Sequence, residues 1–159
     1  MDLLLDLLSL FDVGRGLVLL AVLFLIAAYL FRAQKEKILI AGVAVILAIL
    51  VATVLKELIP IARPCVDSLL CPSGNSFPSR HAAMFFALAL ALQKTRAFLP
   101  YTLIAGFVVF LKVGANQHTI FDIFGGVAVA LVCVVVATKI VKFLDSNSYM
   151  SLLKQKLKR

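Results

Sequence analysis

The chain is a series of long apolar stretches separated by short polar connections. A helix that crosses a bilayer needs about 20 residues. On that basis we predict five transmembrane helices, at residues 15–32, 37–57, 78–93, 97–114 and 119–139. The third and fourth are short, so polar groups at their ends are expected to lie recessed in the membrane. The pattern predicts an all-α fold, an integral membrane helical bundle that forms one domain over residues 1–159.

Both ends of the chain differ from the apolar centre. Residues 1–14 alternate leucines with Asp2, Asp6 and Asp12, where a signal peptide would need a basic start. We therefore expect no cleavable signal and predict a short interfacial helix over residues 1–14, followed by a transmembrane bundle over 15–139. Residues 140–159 end in KQKLKR and are predicted to form a basic cytoplasmic tail on anionic headgroups.

Composition supports a membrane protein. The chain is 63% hydrophobic, whereas soluble domains are about 45–50% apolar. Its net charge of +8 could indicate nucleic-acid binding, but the basic residues fall in short clusters between apolar runs. Because no aromatic and basic platform accompanies them, we predict the lipid bilayer as partner and no nucleic acid. The oligomeric state is left open.

The charged connections predict an orientation. The connection at 32–37, the connection at 93–96 and the C-terminal tail are basic, and five spans place all three on one side. The positive-inside rule assigns that side to the cytoplasm. The N-terminus and the loops at 58–78 and 112–118 are then extracytoplasmic.

Two cysteines, Cys65 and Cys71, lie in the 58–78 loop. On an extracytoplasmic face they could form a disulfide, and two unlinked thiols are the alternative. Metal binding is less favoured, because no histidine or further cysteine lies nearby in sequence. Cys133, in the last span, is expected to be a small core residue. In the same loop, Pro-Ser-Gly-Asn at 72–75 is expected to form a turn.

Polar and ionisable residues gather at the outward ends of the predicted helices. Such residues are costly at membrane depth, which makes them functional candidates. Taken singly, each has a plainer interpretation, since Lys and Arg at helix ends usually extend to headgroups and one histidine is more often a satisfied polar residue. The set comprises Lys56, Arg63, Ser79, Arg80, His81, Lys112, His118 and Asp122.

Four members of this set are cations that could surround one anion, namely Lys56, Arg63, Arg80 and Lys112. The start of the third helix adds free backbone N–H groups, with Ser79 as a further donor and Pro78 expected at the first helical position. Phosphate is the anion that such a site favours. Because side chains supply all the charge, we predict no metal and no cofactor.

Three further members suggest catalysis. His118 and Asp122 are four residues apart and share a face of a helix. The carboxylate can therefore fix the tautomer of the imidazole and raise its basicity, which makes His118 a candidate nucleophile towards phosphorus. His81, on another helix, can protonate the departing oxygen as a general acid.

Three stretches together resemble the signatures of the type-2 phosphatidic acid phosphatase superfamily of membrane lipid phosphatases. KELIPIARP fits a lysine, six residues and Arg-Pro; FPSRH resembles Pro-Ser-Gly-His; LKVGANQHTIFD resembles Ser-Arg, five residues, His, three residues and Asp. Order and spacing are kept, and the resemblance covers roughly residues 37–139. It implies a metal-independent enzyme in which His118 forms a phosphohistidine, Asp122 orients it and His81 is the acid. The phosphate-binding set implied is Lys56, Arg63, Ser79 and Lys112.

The chain departs from the family pattern at two places. Arg80 stands where the family has Gly, and Leu111-Lys112 stands where it has Ser-Arg. The second change replaces a planar, two-pronged phosphate contact by a point charge. Either the Arg80 guanidinium compensates for this loss, or Arg80 extends to the headgroups while its backbone N–H serves the phosphate.

The expected function is therefore the removal of phosphate from a lipid at the outer membrane surface. A polyisoprenyl phosphate or diphosphate is favoured, with phosphatidic acid and phosphatidylglycerol phosphate as close competitors. A catalytically inactive relative that binds lipid phosphate, or a structural membrane protein, is the alternative. A vanadate-binding haloperoxidase shares the site type by resemblance, but those enzymes are soluble.

Overall fold

The computed structural model describes residues 13–31, 34–65 and 71–157, and within these ranges the chain forms helices and no strand. The interfacial helix predicted over residues 1–14 falls almost entirely outside them, and Val13 already belongs to the first helix. The helices are α1 Val13–Leu30, α2 Lys35–Leu58, α3 Arg80–Ala91, α4 Phe98–Gly114 and α5 Ile120–Leu157.

Helix α3 lies at the centre of the bundle and contacts each of the other four helices. It consists largely of small residues, and Ala82, Ala83, Ala87 and Ala89 are all fully buried. Small side chains allow neighbouring helix backbones to approach closely, which is how helices associate in membranes. The shortest helix is thus held in place from several sides.

Helices α3 and α5 approach each other closely. A Cβ atom added at Gly126 would lie 2.6 Å from the Ser79 carbonyl oxygen and 2.6 Å from the Ala82 Cβ. A Cβ at Gly125 would overlap the Phe77 ring. These two glycines therefore allow close packing that brings the start of α5 against the start of α3.

In the part of the chain that the structure describes, two helical segments are long and apolar enough to cross a membrane, α2 and residues Ile120–Ser146 of α5. The other three helices are apolar but shorter. Helix α5 continues past residue 139, where the predicted span ends, and includes most of the predicted tail. Its 38 residues correspond to about 57 Å at 1.5 Å per residue, so it exceeds a hydrocarbon core of about 30 Å.

The segment between α2 and α3 folds back over the end of the bundle. The backbone N–H of Ser76 donates to the Ile61 carbonyl at 2.6 Å, and Cys65 and Cys71 form a disulfide with their Cα atoms 5.7 Å apart. Gly74 has φ of +88°, which a turn requires and glycine permits. The segment thereby places Arg63 and Ser76 beside the helix ends.

Candidate active site

The pocket at this end of the bundle is formed by the ends of four helices and the segment that covers them. Helix α2 contributes its last turn, α3 its first turn, α4 its last turn and α5 the residues just before it. The lining comprises Lys56, Arg63, Pro72, Arg80, His81, Lys112, Gln117 and His118. Both histidines of the chain and all four predicted cations therefore face one pocket.

The orientation of the His118 ring follows from its neighbours. Its Nδ1 lies 3.4 Å from the Asp122 carboxylate and 3.4 Å from the Ser76 hydroxyl. Its Nε2 lies 3.4 Å from the Arg63 guanidinium. Because a guanidinium can only donate, Nε2 presents its lone pair and Nδ1 carries the proton towards Asp122. This is the tautomer in which Nε2 can act as a nucleophile on the pocket side.

Asp122 is fixed by the cap of α5. Its Oδ2 accepts from the Thr119 backbone N–H at 2.7 Å and from the Ser76 hydroxyl at 2.5 Å. In return, the Asp122 N–H donates to the Thr119 hydroxyl at 3.2 Å. This reciprocal arrangement is a capping box, with Thr119 as the capping residue. The carboxylate beside His118 therefore also stabilises the helix that presents it.

His118 is neutral near pH 7. Burial lowers its pKa to about 4, the nearby charges of Arg63 and Lys56 lower it as well, and Asp122 opposes them. Burial also lowers the pKa of Arg63, with a further contribution from Arg80, but a guanidinium remains charged because its ordinary pKa is so high. The site thus combines a neutral imidazole with retained positive charge.

The cations are held mainly by neutral oxygens. Lys56 is buried and its Nζ donates to the carbonyls of Asn75 and Ser76, both at 2.7 Å. Arg63 donates from Nε to the Gly74 carbonyl at 3.1 Å and from Nη1 to the Gln117 carbonyl at 2.9 Å. Such partners fix the positions of the charges without neutralising them, so an incoming anion is strongly favoured.

Lys112 is held by a side chain that the sequence did not single out. Its Nζ donates to the Gln117 amide oxygen at 3.0 Å, and both side chains are buried. Because an ammonium has no acceptor, the amide oxygen must face it. Lys112 and Gln117 thus lie side by side in the pocket lining.

Arg80 lines the same pocket as the other cations and is half-buried. Among the residues the structure describes, none accepts a hydrogen bond from its guanidinium. Arg80 thus lies beside the other three cations at the start of α3 in the pocket lining.

His81 has a buried nitrogen without a described partner. The side chain is 6% exposed, and its Nε2 has no hydrogen bond within the described residues. A buried polar atom left unsatisfied costs free energy, which a ligand oxygen in the pocket would recover. His81 is therefore placed to meet a substrate.

Ser79 lies outside the pocket lining. It is the N-cap of α3, where its hydroxyl accepts from the Ala82 N–H at 3.4 Å, and its own N–H donates to the Asp122 carbonyl at 2.9 Å. We expected Pro78 at the first helical position, but α3 begins at Arg80, so Pro78 precedes the N-cap residue. Ser79 thus joins α3 to α5 rather than presenting its hydroxyl to the pocket.

The sequence interpretation missed Ser76, Gln117, Thr119 and Asn75. The Asn75 amide donates to the Lys56 carbonyl at 2.6 Å, so the predicted turn at 72–75 also contacts the last turn of α2. Only Thr119 had a usable signal, because Thr followed three residues later by an acid at a helix start resembles a capping box. Ser76 and Asn75 depend on how the segment between α2 and α3 folds back, and Gln117 lies in the connection between α4 and α5.

Within the described residues, no group of three His, Cys, Asp or Glu side chains lies close enough together to hold a metal ion. The pocket lining itself is rich in cations. Its donor set therefore suits a phosphate anion better than a metal.

Comparison with known proteins decides the family. The sequence model of the PAP2 superfamily matches residues 37–145, which is most of the chain. The chain belongs to the PAP2 superfamily. This confirms the resemblance that the three motifs indicated. No match is found among curated protein sequences.

Two solved structures resemble this PAP2 protein. The crystal structure of Aquifex aeolicus LpxE has a TM-score of 0.66 at 25% identity, over 87% of this chain and 84% of that one. The first transmembrane PAP2-type phosphatidylglycerolphosphate phosphatase from Bacillus subtilis has a TM-score of 0.54 at 26% identity, over 92% of this chain and 76% of that one. The protein is thus an all-helical membrane lipid phosphatase, a phosphoric monoester hydrolase.

Proposed function

We propose that the protein removes phosphate from a membrane lipid through a phosphohistidine intermediate on His118, at the extracytoplasmic surface. The observation that carries the proposal is the convergence of two imidazoles from separate helices on one pocket that four cations also line. His118 faces Asp122 through Nδ1 and so presents the lone pair of Nε2, and His81 presents a buried nitrogen that has no described partner. These are the two functions that nucleophilic phosphoryl transfer with acid catalysis requires.

The first step transfers the phosphoryl group to the enzyme. Lys56, Arg63, Arg80 and Lys112 bind the phosphate oxygens and stabilise the charge on them in the transition state. His118 Nε2 attacks phosphorus, so that a P–N bond forms while the P–O bond to the lipid breaks. Protonated His81 gives its proton to the departing lipid oxygen. Asp122 stabilises the positive charge that develops on the His118 ring.

The second step releases phosphate. Now neutral, His81 takes a proton from a water molecule, whose oxygen attacks phosphorus. The P–N bond breaks and its electron pair returns to His118 Nε2, which restores the free enzyme. The same residue therefore acts first as acid and then as base.

The proposed substrate is a polyisoprenyl phosphate or diphosphate, with phosphatidic acid and phosphatidylglycerol phosphate as competitors. Four cations in one pocket suit a highly charged headgroup. The resemblance to a phosphatidylglycerolphosphate phosphatase keeps that lipid in the comparison. Side chains supply the charge in each step, so we propose that no cofactor takes part.

Phosphate release from detergent-solubilised lipid phosphates tests the proposal, with and without EDTA. We expect native protein to release phosphate from at least one member of a panel of the four lipid classes, and EDTA to leave the rate unchanged. The His118→Ala variant should be inactive and form no acid-labile phosphoenzyme. Arg96→Ala, an exposed residue in the connection between α3 and α4, is the matched control.

Two results would contradict the proposal. Equal rates for native protein and His118→Ala would exclude a phosphohistidine at this position. Lipid binding that survives His118→Ala, without turnover by native protein on any lipid, would favour the inactive binding protein.

A further inference from the structure

Ser76 lies outside the three sequence motifs that resemble the family, yet it contacts both the catalytic and the binding parts of the site. Its side chain is fully buried. The hydroxyl donates to Asp122 Oδ2 at 2.5 Å and lies 3.4 Å from His118 Nδ1. One short side chain thus touches both the proposed nucleophile and the carboxylate that orients it.

The direction of these hydrogen bonds follows from the number of donors. A serine hydroxyl has one hydrogen and two lone pairs. Since the Asp122 carboxylate can only accept, the hydrogen points to Asp122, and a Ser76 lone pair is left towards the N–H of His118 Nδ1. That N–H therefore faces two acceptors, the hydroxyl and Asp122 Oδ2, each at 3.4 Å. The triangle of three polar groups restricts both the carboxylate rotamer and the tilt of the ring.

The main chain of Ser76 makes a separate set of contacts. Its carbonyl accepts from Lys56 Nζ at 2.7 Å, and its N–H donates to the Ile61 carbonyl at 2.6 Å. These contacts hold a phosphate-binding cation and the covering segment. A change confined to the side chain leaves them in place, so the two contributions of this residue can be separated experimentally.

We propose that the Ser76 hydroxyl is a positioning group for phosphoryl transfer: it holds Asp122 and His118 so that His118 Nε2 points at the phosphorus atom. This role rests on the proposed function. Correct orientation of a nucleophile lowers the activation barrier of the chemical step. A misaligned nucleophile loses that contribution, so the chemical step becomes slower. Substrate binding depends on the cations and is expected to persist.

The test is a double-mutant cycle on purified full-length protein, with phosphatidic acid in detergent micelles as the probe if it is turned over, or otherwise the best substrate of the panel. Ser76→Ala should lower kcat about tenfold or more, since a lost hydrogen bond to a charged group corresponds to roughly that factor. KM should stay near its native value. Ser73→Ala, an exposed serine of the same segment, is the control and should match native protein.

The second arm separates positioning from mere stabilisation of the fold. If Ser76 acts through Asp122, Ser76→Ala will have little further effect on kcat when Asp122→Asn is already present. Factors that multiply in the double variant, or an unchanged kcat in Ser76→Ala, overturn the proposal. Should Ser76→Ala fail to fold, Ser76→Cys keeps the volume and weakens the donor, and a native kcat for it would equally overturn the role.

The controls distinguish the two levels of inference. If His118→Ala retains activity, the proposed function itself fails. If native protein is active and His118→Ala is not, while Ser76→Ala equals Ser73→Ala, only the positioning role is wrong.

Discussion

The protonation state of His118 is the residue-level property on which the proposed nucleophilic attack depends. Its pKa is lowered to about 4, below its ordinary value of about 6.5. Protonation is therefore disfavoured in the folded protein, and the neutral ring persists until the pH falls to about 4. By linkage, the stability due to this group is present above about pH 6.5 and is lost as the pH falls towards the folded pKa.

We predict that NMR of 15N-histidine-labelled protein will show one imidazole, assigned to His118, that remains neutral down to about pH 4 with its proton on Nδ1. The chain has two histidines, so the spectrum of His118→Ala provides the assignment. The same variant should lose less thermal stability than native protein between pH 6.5 and 4.5. An imidazole that titrates near 6.5 at this position would contradict the prediction.

Arg80 can be tested by moving the guanidinium between helix ends. If Arg80 compensates for the Lys in the third motif, Arg80→Gly will lower kcat/KM about tenfold to a hundredfold, the usual effect of losing a hydrogen bond to a charged group. Adding Lys112→Arg should then restore most of the activity, because it returns the two-pronged phosphate contact to its family position. The measurement is kcat/KM for the native protein, Arg80→Gly, and Arg80→Gly combined with Lys112→Arg. An unchanged rate for Arg80→Gly would show that Arg80 serves the headgroups only.

Gln117 offers a test of how Lys112 is held. Gln117→Leu keeps the side chain similar in size but removes the amide oxygen that accepts from Lys112 Nζ. We expect KM to rise several-fold with a smaller change in kcat, since a displaced ammonium weakens phosphate binding in the ground state and transition state alike. Gln117→Glu, which retains an oxygen for Lys112, should keep that contact but repel the phosphate. A Gln117→Leu variant with native KM would show that Lys112 is held adequately by other contacts.

The sequence predicted a contact that depends on local spacing, and gave no signal for side chains whose contacts depend on how the connections between helices fold. His118 and Asp122 are four apart, and the structure places them 3.4 Å apart. Ser76 and Gln117 gave no signal, because Ser76 acquires its contacts only when the segment between α2 and α3 folds back, and Gln117 reaches Lys112 only through the conformation of the connection between α4 and α5. Ser79 was interpreted as a phosphate donor, although a serine directly before a helix is more often its N-cap.

At the level of secondary structure, the contact between α3 and α5 sets the distance between the two histidines. His81 lies in the first turn of α3, and His118 directly precedes α5. These helices approach each other closely at Gly126, which faces the Ser79 carbonyl and Ala82. Backbone atoms cannot give way as a flexible side chain can, so a methyl group here must push the helices apart.

We therefore predict that Gly126→Ala lowers stability by about 1–3 kcal/mol, the usual cost of overpacking. It should also lower kcat by more than tenfold, because a shift of about 1 Å between reacting groups costs roughly a hundredfold. Gly106→Ala in α4 is the matched control, since a Cβ there meets nothing within 4 Å. That change should be neutral or gain about 0.5–1 kcal/mol. Equal behaviour of the two variants in thermal unfolding and activity assays would refute the argument.

Helix bounds were predicted to within a few residues for α1 to α4, because hydrophobic runs and flanking charges mark both ends. The C-terminal end of α5 was not predicted correctly. The apolar run stops near residue 139, but the helix continues to Leu157 through a polar sequence that favours helix without membrane burial. Hydropathy indicates where the lipid-facing part of a helix ends, whereas the helix itself ends where its backbone hydrogen bonds end. Hydropathy therefore cannot predict the end of a helix that continues beyond the bilayer.

For the whole molecule, the main consequence of the fold is that every candidate site residue lies at the same end of the bundle. The basic connection between α3 and α4, which contains Lys94 and Arg96, lies at the other end. The positive-inside rule predicts that this connection is cytoplasmic. We therefore predict that the pocket opens on the extracytoplasmic side.

Single-cysteine labelling tests this orientation with little interference from the native cysteines. Cys65 and Cys71 are joined in a disulfide, and Cys133 is buried. Gly114→Cys places a thiol at the pocket end, where an added Cβ meets nothing within 4 Å, and Arg96→Cys places an exposed thiol at the other end. A membrane-impermeant maleimide should label Gly114→Cys in intact cells and Arg96→Cys only after permeabilisation.

The reverse pattern would place the pocket in the cytoplasm. The two reporters flank a single helix, α4, and must therefore respond oppositely if that helix crosses the membrane. Labelling of both thiols in intact cells would mean that α4, 17 residues long, does not span the bilayer.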